Sequence, residues 1–237
     1  MKKYREGIEI GIDEAGRGPL FGRVYTSAVI LPDDFDVSIL KDSKKFSSHK
    51  KRKQVAEIIK QKSVWAVCYE DEKVIDEMNI LQATLHSMHK SLQTILTKVD
   101  PSTVHVIVDG TMFKPYTYYT NTIKVIPYTC IPKGDDQYAA IAAASILAKV
   151  SRDEYIDELC KEHPYLDERY GLVKNKGYGT AKHMKGIQDH GITPWHRQSF
   201  SPCKVESSLS DKPDLIHLET PSDHDSQSLI PIDQTYV

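Results

Sequence analysis

Seven residues, AAIAAAS from Ala139 to Ser145, all small but Ile141, limit what this chain can fold into. Alanine is the strongest helix former, and the sequence stays helix-compatible from Asp135 until Pro164 interrupts it. Side chains this small let another element approach closely, so the helix is expected to be buried on more than one side. Apolar runs supply its partner. IEIGID (8–13), VYTSAVILP (24–32), VWAVCYE (64–70) and VHVIVDG (104–110) read as strands, and IKVIPYTCIP (123–132) as a weaker one interrupted by prolines. Further helices are expected from a cap at Ser47 or Ser48 to about Lys62, over Asn79–Lys98, and over 180–191 with a glycine cap. Strands followed by helices alternating with strands make an α/β domain, placed over residues 1–206.

The second constraint is chemical. GIDEAGRGPLFG (11–22) sets two adjacent acids, Asp13 and Glu14, after an apolar run and follows them with glycines at 16, 18 and 22. Adjacent side chains of a regular strand point to opposite faces, so the two acids share a site only if the strand ends or twists there. Glycine permits that, and it brings bare backbone N–H groups within reach of a ligand. Asp109 closes VHVIVD at the edge of a core, where a carboxylate is costly unless paired or ligating metal. By itself Asp109-Gly110 reads equally as a turn. PKGDDQ (132–137) offers a further carboxylate from Asp135 or Asp136, either of which also serves as a helix cap. Oxygen-only acid clusters suit Mg²⁺ or Mn²⁺ rather than zinc, and two such ions about 4 Å apart suit phosphodiester cleavage. KNKGYGTAKH (174–183) places Lys174, Lys176 and Lys182 around Tyr178, as phosphate binding and ring stacking require. In TPWHRQSF (193–200), Trp195 reads as packing, with His196 and Arg197 facing solvent.

Composition excludes several classes. A hydrophobic share of 40% and a charged share of 27% are those of an ordinary globular protein, and no apolar run approaches the ~18 residues of a membrane span. No apolar segment follows the basic start, so an unexported, cytoplasmic protein without membrane contact is expected. Cys68, Cys130, Cys160 and Cys203 are scattered, with no C-x-x-C pair, and read as reduced thiols. The net charge of −2 conceals six acids against one base between Ser207 and Val237, which leaves a mildly basic body and an acidic tail over 207–237, read as disordered. The nucleotide-binding loops G-x-x-x-x-G-K-[ST] and G-x-G-x-x-G after a strand are missing from the sequence.

Taken in order, GIDEAGRGPLFG, LKDSKKFS, VIVDG, KGDDQYAAIAAASILAKVSRD, KNKGYGTAKH and TPWHRQSF resemble the motifs of ribonuclease HII, a type 2 ribonuclease H, over about residues 7–204. The resemblance implies a ribonuclease H-like fold: a central mixed β-sheet flanked by helices, with a helical C-terminal portion. It implies a Mg²⁺- or Mn²⁺-dependent endonuclease with a two-ion site. The substrates implied are RNA–DNA hybrids and DNA duplexes containing ribonucleotides, cut 5′ to a lone ribonucleotide to leave 3′-hydroxyl and 5′-phosphate ends. That activity serves ribonucleotide removal and RNA primer processing. By the same resemblance Asp13, Glu14, Asp109 and Asp135 are the catalytic, metal-holding acids. Gly16, Arg17 and Gly18 form the loop that reads the 2′-hydroxyl through its backbone, Lys44 contacts a phosphate, and Tyr178 packs at the ribonucleotide–DNA junction. Asp136 is then a bystander or a cap. A monomer is expected. Gln227 begins a segment as a sliding-clamp peptide does, but Pro231 and the lack of a paired aromatic ending make a solvated tail the better reading. Two alternatives stand beside this one. Ribonuclease HIII carries an extra N-terminal domain and usually GTG in place of GRG; a non-catalytic duplex-binding protein would set four acids against phosphates.

Overall fold

The computed structural model describes residues 1–40 and 49–204. Lys44, the Ser47 or Ser48 cap and the 207–237 tail therefore lie outside the described residues. The chain begins with three strands, β1 (Ile8–Ala15), β2 (Val24–Ile30) and β3 (Val64–Glu70), with helix α1 (His49–Lys62) between the last two. Helix α2 (Glu72–Leu96) leads to β4 (Val104–Asp109), a small hairpin of β5 (Thr117–Tyr119) and β6 (Ile123–Val125), and then β7 (Tyr128–Ile131). Helices α3 (Ala139–Glu162), α4 (Tyr165–Tyr170), α5 (Leu172–Asn175) and α6 (Ala181–His190) complete it.

The main sheet runs β3-β2-β1-β4-β7. β2 is antiparallel to both β1 and β3, whereas β4 is parallel to both β1 and β7, so the sheet is mixed. Alternation of side chains along β1 decides which helix covers which face. Ile10 and Ile12 join Leu85, Met88 and Leu92 of α2 in one core layer. The opposite face belongs to α3, whose alanines pack with Val29 and the α1 residues Val55, Ala56 and Ile59. At Gly11 an added Cβ would lie 2.2 Å from the Ala140 carbonyl carbon, so β1 and α3 touch backbone to backbone. The alanine run and Gly11 together create that approach, and it sets Asp13, two residues on, against α3.

Several boundaries differ from expectation. β1 continues through Asp13 and Glu14 to Ala15, because β2 pairs with it as far as Ala15↔Tyr25. The expected helix at 79 is the second part of a longer one. Asn79 leaves helical geometry (φ 68°, ψ 160°), and its Oδ1 accepts from the Gln82 N–H, capping the continuation after the Glu72–Met78 turn. The proline-broken strand resolves into β6 and β7, with Ile126 and Pro127 between them. Residues 134–136 form a 3₁₀ turn, and the residue before α3 is Tyr138, so neither Asp135 nor Asp136 caps that helix. The last helix is as expected, with Thr180 accepting from the His183 N–H at its start and Gly191 after its end.

Candidate active site

Parallel pairing brings the acids to one edge. The register of β1 on β4 ends at Ile12↔Val108, so Asp13 and Asp109 are the next residues of adjacent strands running the same way. β7 adds its C-terminal end, with Asp109 opposite Ile131. Three residues later the Gly134 N–H donates to Asp109 Oδ1 at 2.7 Å, which ties the 133–136 turn to the same edge. Asp135 is half-buried there and Asp136 is exposed, which favours Asp135 as the site residue. Open α/β sheets collect ligands outside the carboxyl ends of their parallel strands for this topological reason.

Asp13 is only 4% exposed. Its Oδ1 accepts from the Glu14 N–H at 2.7 Å, and the Ser145 hydroxyl on α3 donates to it. Burial, then the charges of Glu14 and Asp109, push its proton affinity well above the usual carboxylate range. Glu14 is raised as well, chiefly by burial, and Arg17 opposes that shift from 3.3 Å. Because β1 does not end at Asp13, the two acids diverge, Asp13 toward α3 and Glu14 toward Arg17. Among the described residues no three acid, imidazole or thiol groups already share one chelating shell. The donor set is nonetheless all oxygen, and its members repel one another where water is scarce. Both properties fit a hard divalent cation.

Behind the acids the 16–23 loop is built around two buried guanidinium groups. Arg197 donates through Nε to the Gly22 carbonyl, through one terminal nitrogen to those of Arg17 and Pro19, and through the other to that of Gly16. Arg152, from α3, holds the carbonyls of Phe21, Arg23 and Lys176. In a trans peptide the N–H lies opposite its carbonyl, so the Arg17 and Gly18 N–H groups face away from Arg197. Gly16 (φ +98°) is needed here, since a Cβ would sit 2.2 Å from Arg152 Nε. The 175–180 turn docks on this loop through Leu20 N–H to the Gly177 carbonyl at 2.9 Å. That docking leaves the Tyr178 ring 3.5 Å from where a Gly18 Cβ would be, and the residue is half exposed. A cavity of about 320 Å³ opens between Glu14, the 15–18 backbone, Tyr178 and the α3 residues Ser145, Lys149 and Arg152.

Two sequence expectations need correction. His196 and Arg197 do not face solvent; they are 1% and 0% exposed. Local pattern failed there because Arg197 is buried against carbonyls some 180 residues away in the sequence, and His196 against His183 and the rings of Phe21 and Tyr170. Nor are two of the three lysines near Tyr178 free for a phosphate. Lys176 is paired with Asp157, and Lys182 donates to the Asp167 carbonyl. Trp195 does pack, against Phe21 and His163. Ser145, Lys149 and Arg152 were not anticipated. Their 3–4 residue spacing, which aligns them on one face of α3, was the available signal.

Comparison with known proteins bears on the family and the fold. The family model described as Ribonuclease HII matches residues 10–203. The ribonuclease HII of Phocaeicola vulgatus is 45% identical over 203 residues, covering 85% of this chain and 93% of that one. That of Bacteroides thetaiotaomicron is 44% identical over 195 residues, covering 82% and 90%. Among solved structures, the PCNA:RNase HII complex from Archaeoglobus fulgidus has a TM-score of 0.62 at 21% identity, covering 86% of this chain and 98% of that one. Bst-RNase HIII in complex with Mn²⁺ has a TM-score of 0.63 at 20% identity, covering 83% and 68%. These two likenesses bear on the fold, a mixed sheet flanked by helices with a helical C-terminal part.

Proposed function

Since the chain belongs to the ribonuclease HII family and is therefore a ribonuclease H-type endonuclease, we propose that it incises DNA duplexes 5′ to embedded ribonucleotides and cuts the RNA strand of RNA–DNA hybrids. The observation that carries this reading is the placing, beside buried and mutually repelling acids at one sheet edge, of a cavity lined by Glu14 and by a glycine loop whose Gly16, Arg17, Pro19 and Gly22 carbonyls are turned toward Arg197. Asp13, Glu14, Asp109 and Asp135 would hold Mg²⁺ or Mn²⁺; that a structural neighbour, Bst-RNase HIII, is seen in complex with Mn²⁺ supports the second of these. The chemistry supplied by a bound divalent pair is activation of a water and neutralisation of charge on the departing 3′-oxygen. The protein's own part is positional. Asp13, fixed by Ser145 and by the Glu14 N–H, would be the central ligand. The Arg17 and Gly18 N–H groups offer donors to a 2′-hydroxyl, the group that separates RNA from DNA. Tyr178 presents a half-exposed ring on which the next sugar packs. Cleavage on the 5′ side then leaves a 3′-hydroxyl and a 5′-phosphate.

A labelled DNA duplex with one ribonucleotide, beside an all-DNA duplex and a long hybrid, tests this directly. Cutting 5′ to the ribonucleotide, abolished by a chelator, is the expected result. Cleavage of the hybrid alone would move the assignment to ribonuclease HIII-like specificity. No cleavage of any substrate by folded protein with either metal would overturn it.

A further inference from the structure

Behind Tyr178 lie two imidazoles that this function does not use. His183 on α6 and His196 are 0% and 1% exposed, and their Nε2 atoms are 3.1 Å apart. Their protonation pattern follows from their outer partners. The Thr193 N–H points at His196 Nδ1 from 2.9 Å, so that nitrogen must accept. A neutral His196 therefore carries its proton on Nε2 and donates to His183 Nε2. His183 in turn carries its proton on Nδ1, which lies 3.0 Å from the Tyr178 carbonyl. The result is a one-way chain of donors, Thr193 to His196 to His183 to the Tyr178 backbone. Rings of Phe21 and Tyr170 flank both imidazoles. The residue after His196 is Arg197, which gathers the carbonyls of the 16–22 loop. The pair thus links the segment that braces the loop to the residue whose ring borders it.

We propose that His183 and His196 act as a neutral positioning pair that sets the place of Tyr178 beside Gly18, and thereby the preference for a lone ribonucleotide over a continuous hybrid. Neither ring touches the reacting atoms. A lone ribonucleotide offers one sugar to the loop and one junction to Tyr178, so a misplaced ring is felt fully. A hybrid offers successive ribonucleotides and more than one productive register. The inference rests on the ribonuclease reading, and its test separates the two.

Two amide variants divide the roles of His183. His183→Asn retains a donor where Nδ1 stood and keeps the Tyr178 contact; His183→Gln retains a group near Nε2 and loses it. On the lone-ribonucleotide duplex, His183→Gln should raise KM about tenfold, the usual effect of one lost hydrogen bond, with kcat changed less. His183→Asn should stay within about threefold of the unaltered protein, and both variants should cut the hybrid within about threefold. Equal losses on both substrates, or equal behaviour of the two variants, would overturn the proposal while leaving the ribonuclease assignment intact. Failure of the unaltered protein on every substrate would instead remove the assignment. A measurement that needs no variant is ¹⁵N–¹H correlation of the imidazoles near neutral pH. Opposite tautomers at His183 and His196 are expected; matching tautomers or an imidazolium at either ring would refute the chain of donors.

Discussion

The acids at the strand ends and the arginine-braced loop beside them handle buried charge in opposite ways. Arg197 and Arg152 are fully buried, yet backbone carbonyls meet the guanidinium N–H groups, four around Arg197 and three around Arg152. Asp13 has Ser145 and one backbone N–H on its side, with two other carboxylates pressing against it. The loop is thus complete within the protein, as pre-organised recognition requires, while the acid edge holds negative charge that an incoming cation would neutralise. One region is built for rigidity and the other for binding. Substitutions should separate them, with catalysis lost and stability kept at the acids, and the reverse order of events at the arginines.

The largest effect is expected at Asp13. Asp13→Asn should lower cleavage by at least about a thousandfold, as loss of a central charge-stabilising ligand does, with duplex affinity largely unchanged. Because the substitution relieves repulsion from Glu14 and Asp109, thermal stability at neutral pH should be equal or higher, by up to about 1 kcal/mol. A melting temperature that falls together with activity would mean that Asp13 is structural, and the contrast would fail. Arg197→Met should act the other way. Four carbonyls would lose their donors, and at about 1 kcal/mol each the loss is about 3–5 kcal/mol, read by urea unfolding. Arg197→Lys should rescue little of it, since an ammonium cannot reproduce the planar fork that reaches four acceptors.

How much of this was legible beforehand differs between the same two regions. The acids could be read because strand periodicity is local and the apolar runs IEIGID and VHVIVD each reach an acid, whereas the parallel pairing that sets them at one edge joins strands as far apart as Ile8 and Val104. The alanine run announced a closely packed α3, but not that Gly11 of β1 is where it is approached. The brace could not be read. Arg197 and His196 stand among polar residues after a proline, a pattern that means surface loop in most proteins. What buries Arg197 is a set of carbonyls at 16–22, contributed by a glycine loop with few side chains to leave any periodic trace, and what buries His196 is His183 with the rings of Phe21 and Tyr170. The helix start at Asn79 was legible, since its side chain caps the helix that continues beyond it, whereas the Glu72–Met78 turn before it was missed.

A smaller effect should appear with pH. Burial, and then the neighbouring His183, holds His196 from its ordinary 6.5 down to about 3. The unfolded chain takes up a proton below 6.5 that the folded ring refuses, so stability is intact above that pH and falls as the pH drops toward 3. The slope for this ring is about 1.4 kcal/mol per pH unit. Raised carboxylates such as Asp13 act in the opposite sense, so the comparison must be differential. In His196→Asn, whose Oδ1 can still accept from Thr193, the loss between pH 6.5 and 5.5 should be smaller by about 1 kcal/mol, since the unfolded ring is only half protonated at 6.5. An identical slope in the two proteins would show that the ring is not kept neutral.

The smallest effect, and the sharpest test of how the loop works, lies at Arg17. Its side chain stands between the two regions, 47% exposed and 3.3 Å from Glu14. An exposed pair of this kind contributes little once solvent screening is allowed for, at most about 0.5 kcal/mol, so Arg17→Ala should leave stability nearly unchanged. Its carbonyl would still be held by Arg197, because backbone atoms survive the substitution. If the loop reads the sugar through its N–H groups, selectivity for a ribonucleotide over all-DNA should therefore survive too, with cleavage lowered by no more than about threefold. Gly16→Ala changes one methyl group, yet it should do more damage, because that methyl would press on Arg152 Nε at a positive φ. The reverse ranking, a large loss of selectivity in Arg17→Ala and a small one in Gly16→Ala, would assign recognition to the guanidinium instead. The braced backbone would then be a support for a side chain rather than the reader itself.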